Sequence, residues 1–170
     1  MDSNLARALA SLTTGIYVLT VAGGAHRHGM SSSWVAQVSG EPPLFTAAVD
    51  NRHFSNGMIA RAGAFALNVV GAHGRELEDY FYSAAARRPD NLEQIPHVLS
   101  PNLKMPWLEL AMVSIEARVH AQMVAGDHTI FVGAPVGVRI GKPERPLTSL
   151  DLDYVYLGGK EVLPRDRTGW

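Results

Sequence analysis

Three consecutive serines and a tryptophan, Ser31-Ser32-Ser33-Trp34, open a stretch from Gly29 to Ser55 that reads GMSSSWVAQVSGEPPLFTAAVDNRHFS. Short hydroxyls beside backbone N–H groups suit the polar edge and hydroxylated chain of a flat ligand. At the far end, Asp50-Asn51-Arg52-His53 forms a turn leading into Phe54, Ser55, Met58 and Ile59, whose spacing is helical. Arg52 and Ser55 therefore stand near a helix start, where unpaired N–H groups converge and a phosphate is favoured. A largely apolar ring with a polar edge, a ribityl chain and a terminal phosphate describes flavin mononucleotide, and the stretch reads as its cradle. Each motif also has a plainer reading: surface strand hydroxyls for Ser31 to Ser33, and a helix cap for Asp50 or Asn51.

Composition bounds the elements that must position this stretch. The 170 residues fit a single domain over 1–170, long enough to bury a real core. Hydrophobic residues make up 46% and charged ones 18%, which points to further burial in an oligomer. A net charge of −1 gives no footprint for nucleic acid and no polybasic membrane patch. The absence of cysteine excludes disulfides, thiolate catalysis, iron–sulfur ligation and Cys-type zinc sites, and fits a cytoplasmic location. No apolar run approaches the roughly 18 residues of a membrane-spanning helix, and the start MDSNLARALAS lacks a secretory core.

Along the chain, Leu5, Leu9 and Leu12 mark one face of a short helix with Ser3 as its N-cap. Gly15 opens a strand, IYVLTVA, that ends in a turn at Gly23-Gly24. His26 and His28 fall in that turn, and this H-x-H pair reads as a solvated loop without a metal role. Met30 to Val38 forms a second strand, closed by Glu41-Pro42-Pro43. Leu44 to Val49 forms a third strand, apolar on both faces. A helix from about Phe54 to Arg61 precedes a fourth strand, Ala64 to Val70, in which a buried Asn68 would need hydrogen-bond partners. The clearest helix runs Arg75 to Arg88, with Leu77, Tyr80, Phe81, Ala84 and Ala85 on one face and Glu76, Glu78, Asp79 and Ser83 opposite. Pro89 to Pro106 reads as a long surface loop. Val113 to Gln122 alternates as a half-buried strand with Ser114, Glu116 and Arg118 on its wet face. After the turn Ala125-Gly126-Asp127, a strand from His128 to Ile140 carries Pro135 as the mark of an edge or bulge, and Leu150 to Leu157 is the last strand before Gly158-Gly159 and a tail to Trp170. Many strands in a chain of this length favour a barrel.

The blocks GIYVLT, GMSSSWVAQVSGEPPLFTAAVDNRHFS, FALNVV, GDHTIFVG and LDYVYLGG, in this order, resemble the flavin reductase-like, FMN-binding split-barrel family, over roughly residues 5 to 160 and with its flavoredoxin-like branch closest. The resemblance implies a mainly β fold with short helices, a six-stranded antiparallel split barrel that pairs as a homodimer. It implies FMN, or FAD, reduced by NADH or NADPH, with hydride passing from nicotinamide to flavin N5, and a monooxygenase or redox protein as a partner. By residue, Met30, Ser31, Ser32, Ser33 and Trp34 match the segment lining the flavin ring edge and ribityl chain. Asp50 and Asn51 match a further flavin contact, and Arg52 to Ser55, with Arg52 and Ser55 as contacts, match the phosphate turn. His128 matches a histidine beside the ring and nicotinamide, the one catalytic position implied. Ala134-Pro135 stands where family members often carry Glu after FVG. The alternative is a tightly FMN-bound electron carrier without nicotinamide activity.

Overall fold

The β-branched run of strand β1 (Tyr17–Gly23) is buried on both faces, and two cores form against it. Leu19 and Val21 enter one core with Met30, Phe45, Phe65 and Phe131, while Ile16 and Val18 enter the other with Leu77, Phe81, Leu92 and Leu108. The computed structural model describes residues 2–83, 86–158 and 161–165. Ala84 and Ala85 of the long helix expected from the sequence, Gly159 and Lys160, and the end of the tail from 166 to Trp170 lie outside those residues.

The main sheet is antiparallel and has seven strands, not six, in the order β2-β1-β5-β8-β9-β4-β3. These are β1, β2 (His26–Ser32), β3 (Val35–Gly40), β4 (Pro43–Asp50), β5 (Ala64–Val69), β8 (Val113–Ala125) and β9 (His128–Ile140). Two small hairpins lie outside it: β6 (His97–Leu99) with β7 (Pro106–Leu108), and β10 (Tyr154–Gly158) with β11 (Glu161–Pro164). The extra strand comes from the expected Met30–Val38 strand, which is broken at Ser33-Trp34 into β2 and β3. His26 and His28 therefore belong to a strand paired with β1, not to a turn.

The break shapes the whole sheet. In a flat seven-stranded sheet the edge strands β2 and β3 would lie about 29 Å apart at ordinary strand spacing. The link from Ser32 to Val35 spans at most about 11 Å. The sheet must therefore curl until its edges meet at Ser33-Trp34. The barrel is not closed, because β2 and β3 are not paired; Ala48 N–H donates to the Trp34 carbonyl at 3.0 Å and so carries the β3–β4 pairing up to the break.

Three helices pack on this frame: α1 (Ser3–Ala10), α2 (Phe54–Ala62) and α3 (Arg75–Tyr82). Asp2, not Ser3, caps α1, its carboxylate accepting from Asn4 and Leu5 N–H. The small residues Ala6 and Ala10 face the body and let the helix approach closely, which leaves Leu5, Leu9 and Leu12 exposed. Likewise His53, not Asp50 or Asn51, caps α2, accepting from Ser55 N–H.

The Pro89–Pro106 segment is less superficial than expected, since Asn91, Leu92 and Ser100 are fully buried in it. That burial reverses the face of β8. Ser114 and Glu116 point inward, and Glu116 accepts from the Ser100 hydroxyl (2.5 Å), Asn102 Nδ2 (2.6 Å) and Leu103 N–H (2.7 Å). Burial alone would raise the pKa of Glu116, but these hydrogen bonds outweigh it and hold the carboxyl below its ordinary value. Asn68 finds the partners it needs in the Val18 carbonyl, the Thr20 and Ser114 hydroxyls and Leu108 N–H. Pro135 lies beside a register shift between β8 and β9 and beyond the last β9 residue paired with β4, as an N–H-less residue requires. No helix among the described residues is long and apolar enough to cross a membrane.

Candidate functional site

The site gathers at the seam. The β8–β9 hairpin turns at Gly126, whose φ of 64° is left-handed and so favours glycine. The turn delivers His128 opposite Asp50 in the β4–β9 pairing. Asn51 staples the two strand ends together. Its N–H donates to the Asp127 carbonyl (2.9 Å), its Nδ2 to the Gly126 carbonyl (3.3 Å), and its Oδ1 accepts from the Thr129 hydroxyl (2.7 Å).

His128 is buried, with Nδ1 2.7 Å from Asp127 Oδ1. With Nδ1–H donating to that carboxylate, Nε2 is the nitrogen left to meet a ligand. The indole of Trp34 lies 4.7 Å from the His128 ring and 5.3 Å from the ring of Tyr156 on β10. Beside them Asp50 accepts from Arg52 through backbone N–H (2.8 Å) and guanidinium (2.9 Å). The side-chain bond to Arg52 is the main reason the Asp50 carboxyl sits below its usual range. The Arg52 side chain stays 69% exposed, with its Nε and Nη2 engaged by Asp50.

Next to this polar cluster lies a cavity of about 320 Å³ between α1, the Ser33-Trp34 link and β10. Its walls are mainly apolar, from Leu9, Ile16, Trp34, Leu152 and Val155, with hydroxyls from Thr14, Ser33 and Ser149 and no charged side chain. The volume is at the low end of the ~300–1,000 Å³ of small-molecule sites. A flat, mostly apolar ring with a polar edge fits this lining, and Trp34 joins the cavity to His128 and the Asp50–Arg52 turn.

The structure therefore brings Ser33, Trp34, Asp50, Asn51, Arg52 and His128 together. It places the other expected residues behind the seam. Met30 packs in the barrel core and Ser32 is buried. The Ser55 hydroxyl is buried 2.7 Å from His28 Nδ1. The Ser31 hydroxyl donates to Glu78 on α3. Sequence reasoning assigned no role to Asp127, Tyr154 or Tyr156; the alternation Tyr-Val-Tyr in LDYVYLGG was the available signal for the two tyrosines. Glu78 was expected on the wet face of its helix and is instead buried, because β2 and β10 cover that face.

The family model described as "Flavin reductase like domain" matches residues 9–158. The chain is 29% identical over 138 residues to an NADH:riboflavin 5'-phosphate oxidoreductase of Streptomyces pristinaespiralis, covering 81% of this chain and 76% of that protein. It is 30% identical over 147 residues to a putative diflavin flavoprotein A 1 of Thermosynechococcus vestitus, covering 85% of this chain. The chain spans about a quarter of the length of the diflavin flavoproteins it matches. The solved structure of the NADH:FAD oxidoreductase of Streptomyces globisporus C-1027 superposes with a TM-score of 0.76 at 26% identity, covering 85% of this chain and 86% of that one.

Proposed function

Because the chain belongs to the flavin reductase like domain family, we propose that it is a single-domain oxidoreductase that reduces FMN with NADH or NADPH. The observation that carries this reading is the aromatic group Trp34–His128–Tyr156 set between an uncharged cavity and an exposed Arg52. Such an arrangement offers a flat ring its apolar wall, a polar edge and a cation for a phosphate. The relatives whose names specify riboflavin 5'-phosphate and FAD support a flavin, and both names specify NADH as the donor.

When bound, the flavin accepts hydride at N5, so the chemistry belongs to the cofactors and the protein supplies geometry and electrostatics. Ser33 and the Trp34 indole would border the ring, Trp34 being fixed through its carbonyl by Ala48 N–H. Asp127 engages His128 at Nδ1, so that Nε2 would be the atom to hold the nicotinamide. Asn51 acts through the hairpin it staples, keeping His128 in register with Asp50 of β4. Arg52 would hold the phosphate, and the Met30–Ser32 segment and Ser55 support the site from behind. The relative named as the reductase component of a 4-hydroxyphenylacetate 3-monooxygenase supports a monooxygenase or another redox protein as the partner.

An absorbance spectrum of the purified protein with FMN, followed by anaerobic addition of NADH and then NADPH, tests the reading. Bleaching of the flavin bands by either nucleotide is the expected result. Bound flavin that stays oxidised with both would make the protein an electron carrier, and failure to bind FMN or FAD would remove both functions.

A further inference from the structure

We infer that Glu78 is a positioning residue of the flavin site, a buried carboxyl that holds Ser31 and Tyr154 from behind as their shared hydrogen-bond acceptor. The inference rests on the flavin reading above and adds to it a residue from α3 that touches no cofactor. Glu78 is 3% exposed. Its Oε1 accepts from the Tyr154 phenol at 2.7 Å and its Oε2 from the Ser31 hydroxyl. Both partners belong to elements of the site. Ser31 lies in β2 shortly before the Ser33-Trp34 link, and Tyr154 lines the cavity. One turn along α3, Tyr82 stacks on Tyr154 with ring centroids 4.9 Å apart. The helix thus grips β10 by a stack and a hydrogen bond while gripping β2 by a second hydrogen bond.

A carboxyl is a costly way to make such a clamp. Among the described residues Glu78 has no ion pair, and Arg75, one turn earlier, pairs with Asp79 (3.8 Å) and Asp153 (3.6 Å). A buried carboxylate held only by neutral hydroxyls is less favourable for stability than an amide or an apolar side chain. What the carboxylate does provide is a fixed polarity. An ionised carboxylate accepts only, so both hydroxyls spend their protons on it and can offer other groups nothing but lone pairs. Once Glu78 takes up a proton it becomes a donor itself, and one of the two hydroxyls is released. The groups that set this balance are Ser31 on β2, Tyr154 on β10, and Arg75, Asp79 and Tyr82 on α3. Burial is the largest influence and raises the Glu78 pKa, with the Ser31 and Tyr154 hydrogen bonds acting against it. The exchange of donors therefore occurs above the ordinary carboxylate range.

FMN titration of the full chain, followed by quenching of flavin fluorescence at pH 8 and pH 5.5 with a thermal melt alongside, tests this. Wild type is expected to bind FMN several-fold more weakly at pH 5.5. Glu78→Gln should bind about tenfold more weakly than wild type at pH 8 and show little further change at pH 5.5. Ser31→Ala and Tyr154→Phe, which each remove one oxygen, should each reproduce part of the loss and serve if Glu78→Gln does not fold. Variants that melt lower yet bind FMN like wild type at both pH values would overturn the inference and leave Glu78 a stability residue. Wild type that binds neither FMN nor FAD at pH 8 would overturn the flavin reading itself.

Discussion

At the scale of single residues, the site divides into side chains free to meet a ligand and side chains already committed to the protein. His128 is of the first kind, since Asp127 occupies Nδ1 and leaves Nε2. Its loss should disturb hydride transfer more than flavin binding, because Trp34, Ser33 and Arg52 remain. We expect His128→Ala to lower turnover by about 10- to 100-fold, the usual scale of misplaced reactants, with FMN affinity within about twofold. Steady-state kinetics with NADH beside an FMN titration checks this, and unchanged turnover would remove His128 from the mechanism. Asn51 and Ser55 are of the second kind, with their polar atoms bonded to the 126–129 hairpin end and to His28. The residue types of both kinds were legible in the sequence; their availability was not, since that depends on neighbours distant along the chain.

Among the elements, β2 shows how a partner can create a strand that its own sequence conceals. HRHGMSS has no apolar alternation, yet it pairs with β1 from His26 to Ser32. Gly29 allows this, because a Cβ there would stand only 2.5 Å from the Phe81 ring. The strand buries His28 against α2, with Nδ1 2.7 Å from the Ser55 hydroxyl and its ring edge-on to His53 at 5.4 Å. Burial, reinforced by His53, lowers the His28 pKa from 6.5 to about 4. His53 is lowered in the same way by burial. The unfolded chain therefore takes up protons as pH falls below about 6.5 while folded His28 stays neutral until about 4, so stability declines across that window. For His28 alone the loss is on the order of 3 kcal/mol. Urea midpoints measured from pH 7.5 to 4.5 should fall, and fall less in His28→Gln than in wild type. Parallel curves for the two proteins would refute the assignment. The difference between them isolates the histidine from carboxylates such as Asp50 and Glu116, whose lowered pKa values also weaken the fold in acid.

For the whole molecule, the exposed apolar surface is the feature that a single chain leaves unexplained. Val136, Val138 and Ile140 alternate along one face of β9 and are 39%, 55% and 69% exposed. Patches of this kind mark association, and we expect a homodimer of standard interface size, about 800 Å² per partner. Light scattering on an eluting peak at micromolar concentration should give twice the chain mass, and Ile140→Asp should shift it toward one. A wild-type monomer would count against the dimer. The sequence by itself determined the residue chemistry, most strand positions, the family and the residues that carry it, because these follow from local pattern and from motifs read in order. Only the tertiary structure decided that β2 is a strand, that Glu78 and Glu116 turn inward, that the leucines of α1 turn outward, and that Ser33-Trp34 links the two edge strands beside His128. Each of these depends on which distant surface covers a given face. Periodicity along one segment describes that segment's two faces and leaves open which of them is covered.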